Sequence, residues 1–229
     1  MSGLSDWRAR RLAEVTGPDG WLAVVGQTLL APGPNEVEEV GTVILEDGLA
    51  RLGDQVLRPE ATVPLAGRSL QLVERAGRFA LRVRDPEAPA RRDFPGLRCF
   101  AEEPVWRRAA KLVAEGAGTI TTVFSIGTTG PVPSPGSVEV ALPAGSVRLR
   151  ALRMGGRLLI VFGDATNGHE TYGGGRFLWV DEPVEEVDFN QAENPACVFT
   201  AYAACPLPLS QNRLAQRVEA GEQYPYPIR

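Results

Sequence analysis

The stretch RLLIVFGDATNGHETYGGGRFLWV, residues 157–180, decides how this chain folds. RLLIVFG and RFLWV are short, apolar runs of strand length, rich in β-branched and aromatic residues. Between them, DATNG contains Asn167-Gly168, the strongest short signal for a type I′ hairpin turn, because both central residues of that turn need positive φ. Two antiparallel strands turning near Asn167 are therefore expected. Gly173, Gly174 and Gly175 precede Arg176. Such a run lets the main chain approach something closely and bare its N–H groups, and an adjacent arginine could hold a carboxylate or phosphate.

Working outward, the same pattern recurs. TITTVFSI, SVEVAL and VRLRALR precede this stretch, joined by GTTG, PAGS and MGGR. Earlier still, WLAVV, VGTVIL, SLQLVER and RFALRVRD alternate and are separated by Gly, Pro, Asn and Asp. In the hairpin over residues 68–85, Leu70, Leu72, Phe79, Leu81 and Val83 share one face, and Ala76-Gly77 supplies the turn. Arg78, Arg82 and Arg84 fall on the other face, which reads as a solvated basic stripe. Val105 to Val113 fits helix and strand, and its flanks favour strand. Strands at this spacing indicate a mainly β chain, an antiparallel sandwich or barrel.

Ahead of the strands, Ser5 can cap a short helix ending near Thr16, with Gly17-Pro18 as the stop. The Pro- and charge-rich segment 85–94 reads as a linker. The organisation expected is a helical arm over residues 1–19, a sandwich-like β unit over 20–92 and a second β unit over 93–229.

Composition excludes several classes. With 229 residues and 44% hydrophobic content the chain can build its own core. A net charge of −4 argues against a nucleic-acid face. The single lysine, Lys111, leaves 23 of the 24 basic residues as arginine, so any anion contact is made by a planar, bidentate donor. No apolar run approaches membrane-span length and the start resembles no signal peptide, so a cytoplasmic location is the default. Three cysteines do not make an extracellular disulfide framework. One histidine, His169, excludes a multi-histidine metal site. No cofactor motif is present.

Residues 188–222, DFNQAENPACVFTAYAACPLPLSQNRLAQRVEAGE, lack a helical or strand period over most of their length. A segment that long without secondary structure is either tied by many contacts or is a site. Asn190, Asn194 and Asn212 each offer two donors and an acceptor. With Tyr172, Arg176, Asp188 and Arg213 they could orient a small anionic metabolite or an acidic peptide end. Asp188, Glu170 or His169 could instead serve as acid or base in a metal-free hydrolase or isomerase. The third reading is a structural lock, with Arg176 paired to Asp188 or Glu170 and the asparagines satisfying main chain that no ladder reaches. Cys197 and Cys205, eight residues apart, read as small buried apolar residues or as a thiol pair able to form a disulfide. RVEAGE, residues 217–222, could be a last strand, and the tail QYPYPIR reads as loosely held.

GPDGWLAVVG from Gly17, DFPGLRCF from Asp93, TYGGGRFL from Thr171, DFNQAENPAC from Asp188, CPLP from Cys205, NRL from Asn212 and EAGE from Glu219 together resemble a bacterial domain family of unknown function. The chain departs from it at Glu193, Ala196, Leu209 and Thr28-Leu29, where Tyr, Pro, Pro and an aromatic pair are usual. The Glu193 departure removes an aromatic wall from any pocket there. The resemblance supports the choice of residues and implies no reaction. Separately, LLAPGPNEVEEVGTVILEDG, from Leu29, is faintly similar to the entry of a forkhead-associated sandwich. The Arg and Ser that read phosphothreonine there have no counterpart here, which implies that phosphopeptide binding is lost.

Overall fold

In the computed structural model, which describes residues 3–75 and 78–227, the chain is mainly β with one N-terminal helix. Helix α1 spans Gly3–Thr16, so Ser5 lies inside it rather than at its cap. Contacts divide the chain into two compact units: Arg10–Phe94, and the residues up to Ala9 together with the chain from Pro95.

The unit from Arg10 holds β1 (Val24–Leu30), β2 (Gly33–Val37), β3 (Gly41–Glu46), β4 (Leu49–Leu52), β5 (Gln55–Leu57), β6 (Thr62–Leu65), β7 (Arg68–Arg75) and β8 (Arg78–Arg84). They form two four-stranded antiparallel sheets, ordered β1-β8-β7-β6 and β2-β3-β4-β5. The inward positions of both sheets, among them Val43, Leu45, Leu57, Leu70, Leu72 and Leu81, make one shared core. The Ala76-Gly77 turn lies outside the described residues. The basic stripe is solvated only at Arg78. Arg82 and Arg84 are buried, with Arg82 lying 5.0 Å over the Trp21 ring and donating to Gln27, and Arg84 donating to Gln71. Arginine stems covered by neighbours bury well when the head finds acceptors.

The second unit contains β9 (Arg98–Cys99), β10 (Arg107–Val113), β11 (Gly118–Val123), β12 (Thr129–Ser134), β13 (Gly136–Leu142), β14 (Gly145–Met154), β15 (Arg157–Phe162), β16 (Arg176–Val180), β17 (Glu186–Asp188) and β18 (Glu222–Gln223). Six of them form an antiparallel sheet ordered β16-β15-β14-β13-β10-β17. Period-two patterning builds its interior. Val138, Val140 and Leu142 come from β13, Leu149 and Ala151 from β14, Leu158, Ile160 and Phe162 from β15, and Leu178 and Val180 from β16. The sheet is nearly closed into a barrel. Phe177 in β16 exchanges both main-chain hydrogen bonds with Glu193, beyond β17, at 2.9 and 2.8 Å. Strands β11 and β12 form a separate hairpin.

The Asn167-Gly168 turn is not formed. β15 and β16 do pair antiparallel, from Leu158↔Val180 to Phe162↔Arg176, but the whole loop 163–175 connects them. Asn167 spends its side chain inside that loop. It accepts from Asp164 N at 2.7 Å and donates to Thr171 Oγ1 at 2.8 Å and Tyr172 O at 3.0 Å. RVEAGE is not a strand; only Glu222 and Gln223 pair, with β9.

Candidate functional site

The loop 163–175 and the periodless segment after Asp188 converge on Arg176. Its position follows from strand parity: Arg176 shares the inward side of β16 with Leu178 and Val180, so a guanidinium enters an apolar core. It is fully buried, with its charged end 5.1 Å over the Phe162 ring. One nitrogen donates to Asp164 Oδ2 at 2.5 Å and to Val218 O at 2.8 Å, and the other donates to Ala220 O. Burial lowers the Arg176 pKa, and Asp164 opposes that shift. The partner is thus Asp164, neither Asp188 nor Glu170. Asp164 also accepts from Thr166 N at 2.6 Å and Thr166 Oγ1 at 2.5 Å, so the pair is knotted into the loop.

The asparagines are spent on main chain. Asn212 accepts from Arg150 N at 2.7 Å and donates to Arg150 O at 2.9 Å and Val161 O at 2.8 Å. Its amide stands in for a strand residue between β14 and β15. Asn190 clips Glu103 in the same way, N–H and carbonyl both at 3.1 Å. Asn194 donates to Gln223 O at 2.9 Å. Asp188 caps the turn at 189–191 by accepting from Asn190 N at 3.0 Å, and pairs with Arg107 at 2.9 Å. Glu170 pairs with Arg217. His169 and Arg213 are exposed.

A cavity of about 560 Å³ opens beside the loop, lined by Gly168, Thr171, Tyr172, Gly173, Tyr224, Tyr226 and Pro227. Tyr172 and Tyr224 stack, centroids 5.9 Å apart and planes at 22°, and Tyr226 meets Tyr224 edge-on at 5.6 Å. Three of the chain's four tyrosines therefore wall one space. The tail is not loosely held through Pro227: Pro225 is buried and Tyr224 N donates to Glu170 O at 2.9 Å. Burial raises the Tyr172 and Tyr226 hydroxyls above their ordinary range, so both remain neutral donors. None of Asp188, Glu170 and His169 lines the cavity, and neither does Arg176 nor Arg213. Of the residues expected at a site, only Tyr172 does. Tyr224 and Tyr226 were missed, although the alternating Tyr-Pro-Tyr-Pro of the tail could have marked a stiff, aromatic segment.

Behind Tyr172 lies a thiol cluster. Cys197 sits in the single turn Ala196–Val198, and Cys205 directly precedes Pro206. The tip of the β11–β12 hairpin holds Cys205 in place: Ser125 N donates to Cys205 O at 2.8 Å, and Cys205 N donates to Ser125 Oγ at 3.1 Å. Cys205 Sγ accepts from Cys197 N at 3.2 Å, and Cys197 Sγ lies 3.8 Å from Tyr172 Oη. Hydrogen bonding from the Cys205 thiol pulls Cys197 down to about 6, against its burial, with the Tyr172 and Ser125 hydroxyls helping. The Cys205 thiol is pushed up by its bond to Cys197 and by burial.

The barrel, its buried arginine and the loop side of the tyrosine cavity fall within the part of the chain that a family model matches, residues 92–223, whereas Tyr224, Tyr226 and Pro227 of the wall lie just beyond it. That match covers more than half of the chain, and the chain belongs to the family described as "Protein of unknown function (DUF1684)". Among solved structures, the uncharacterized protein from gene locus rrnAC0354 of Haloarcula marismortui, determined by solution NMR, is similar. It is 26% identical, over 61% of this chain and 82% of its own, with a TM-score of 0.47. No curated protein matches.

Proposed function

We propose that the second unit is a binding module for a small, planar, largely uncharged molecule held in the tyrosine cavity. The observation that carries this is the wall itself: three tyrosine rings, two of them stacked, around about 560 Å³ with no cation or carboxylate among the lining residues. Ring faces reward planar ligands, and neutral phenol hydroxyls fix polar edges without demanding a charge. An anion fits less well, because Arg176 is consumed inside the barrel. The hydrolase and isomerase reading lacks an acid or base in the cavity. Arg176, Asn190, Asn194 and Asn212 serve as the lock that holds the loops in position for the cavity.

The test is a thermal-shift screen of aromatic heterocycles against short carboxylates, on the parent protein and on Tyr224→Ala. A heterocycle at about 100 times its Kd adds about 2.7 kcal/mol of stability. The expected result is stabilisation by heterocycles that Tyr224→Ala abolishes. Stabilisation by carboxylates alone would overturn the reading in favour of an anion site.

A further inference from the structure

We propose that Cys197 is a peroxide-reactive thiolate and that Cys205 resolves its oxidised form to an intramolecular disulfide, making the cluster behind Tyr172 a redox site. This goes beyond the ligand reading and does not depend on the cavity's occupant. Separate chain segments converge on the Cys197 sulfur: Cys197 N donates to the Cys205 sulfur of the CPLP segment at 3.2 Å, and the Tyr172 hydroxyl, from the loop between β15 and β16, lies 3.8 Å from Cys197 Sγ. A thiolate is stabilised by such donors as an oxyanion is, and no neighbouring cation is needed. Cys197 is half-buried, so a small oxidant can reach it, whereas Cys205 is buried beside it.

The chemistry balances with a hydroperoxide as the two-electron oxidant. The Cys197 sulfur attacks the terminal oxygen of ROOH, an S–O bond forms and the O–O bond breaks. The leaving alkoxide takes a proton from solvent, giving ROH and a sulfenic acid on Cys197. The Cys205 sulfur then attacks the Cys197 sulfur. The S–O bond breaks, the departing hydroxide takes the Cys205 proton as water, and the S–S bond remains. Two thiols are oxidised and one hydroperoxide is reduced; a dithiol reductant restores the pair.

The experiment uses the full chain in a Cys99→Ser background, so that Cys197 and Cys205 are the remaining thiols, treated with hydrogen peroxide near pH 7. The expected product is intact protein lighter by two hydrogens, with a 197–205 cross-link on peptide mapping, reversed by dithiothreitol. Cys205→Ala is expected to stop at a sulfenic acid that dimedone traps on Cys197. Cys197→Ala is expected to lose the reaction while keeping its circular dichroism. The pH profile of Cys197 alkylation should rise through about 6, as a donor-stabilised thiolate requires. Tyr172→Phe should move that inflection upward and slow oxidation near pH 7, the effect of removing a donor to the thiolate. Oxidation of Cys197 no faster than of Cys99 in the parent chain, or a parent-like product in Cys205→Ala, would overturn the proposal.

Discussion

Arg176 Nη2 lies 2.5 Å from Asp164 Oδ2, and neither side chain is exposed to solvent. The pair joins the first residues of a loop to the first residue of the strand that follows it, so the loop is closed by charge at its base. Replacing Arg176 with Ala would leave Asp164 buried without its counter-charge and the Val218 and Ala220 carbonyls without a donor. The expected loss is about 3–5 kcal/mol in denaturant unfolding, the cost of breaking rather than replacing a buried pair. Lysine should not rescue it, since one ammonium cannot reproduce a planar fork aimed at three acceptors.

Asn212 carries a different kind of tie, one that depends on the amide and not on charge. Asn212→Ala would abandon Arg150 N, Arg150 O and Val161 O, for a loss of about 2–4 kcal/mol. Asn212→Asp keeps the shape and one acceptor yet loses both donors and sets a carboxylate against two carbonyls. It should unfold at a denaturant midpoint no higher than that of the alanine variant; a midpoint equal to the parent's would show that shape alone matters.

The three consecutive glycines separate cleanly by substitution. A Cβ on Gly175 would sit 2.4 Å from Pro208 Cγ and 2.6 Å from Phe162 O at a φ of +87°, so Gly175→Ala should be strongly destabilising. On Gly174 it would strike the Tyr172 ring at 2.4 Å, which turns the ring and should cost ligand-dependent stabilisation more than folding. On Gly173 the nearest atom is 3.9 Å away, and stability should change by less than about 0.5–1 kcal/mol. Melting temperatures of the three variants order them.

The thiol pair gives stability a pH dependence whose sign is fixed. Cys197 titrates near 6 in the folded chain, below its ordinary value near 9, so between those values the unfolded state binds more protons and stability rises with pH. That contribution is complete above the unfolded value and is lost as pH falls through about 6. Cys205 is shifted the other way, so its contribution is present below its unfolded value and fades as pH rises above it. The parent's denaturant midpoint, relative to that of Cys197→Ala, should climb from about pH 6 to about pH 9 and then fall. A flat difference would show that the sulfurs do not share a proton.

The strands were legible because period two and turn residues act over a few positions. Leu158, Ile160 and Phe162 announce their shared face without reference to anything distant. Arg176 was legible as one half of an ion pair inside the fold but not with its partners, since Asp164 lies within the loop and the other acceptors, Val218 and Ala220, lie more than forty residues further along. Asn167-Gly168 misled for the same reason: local turn chemistry lost to a side chain with three partners inside the loop. The asparagines were recognised as polar anchors, yet which main-chain groups they serve depends on tertiary pairing. The cavity escaped notice because Tyr224 and Tyr226 carry no period and stand at the end of a segment that reads as a tail.

The carbonyls that receive Arg176 also set an order of events during synthesis. While Val218 and Ala220 are still inside the ribosome, β16 can pair with β15 but must either expose its guanidinium or bury it with donors unanswered. The barrel of a nascent chain therefore stays ajar until Val218 and Ala220 emerge, and a ribosome stalled before them should present a unit that proteases still cut.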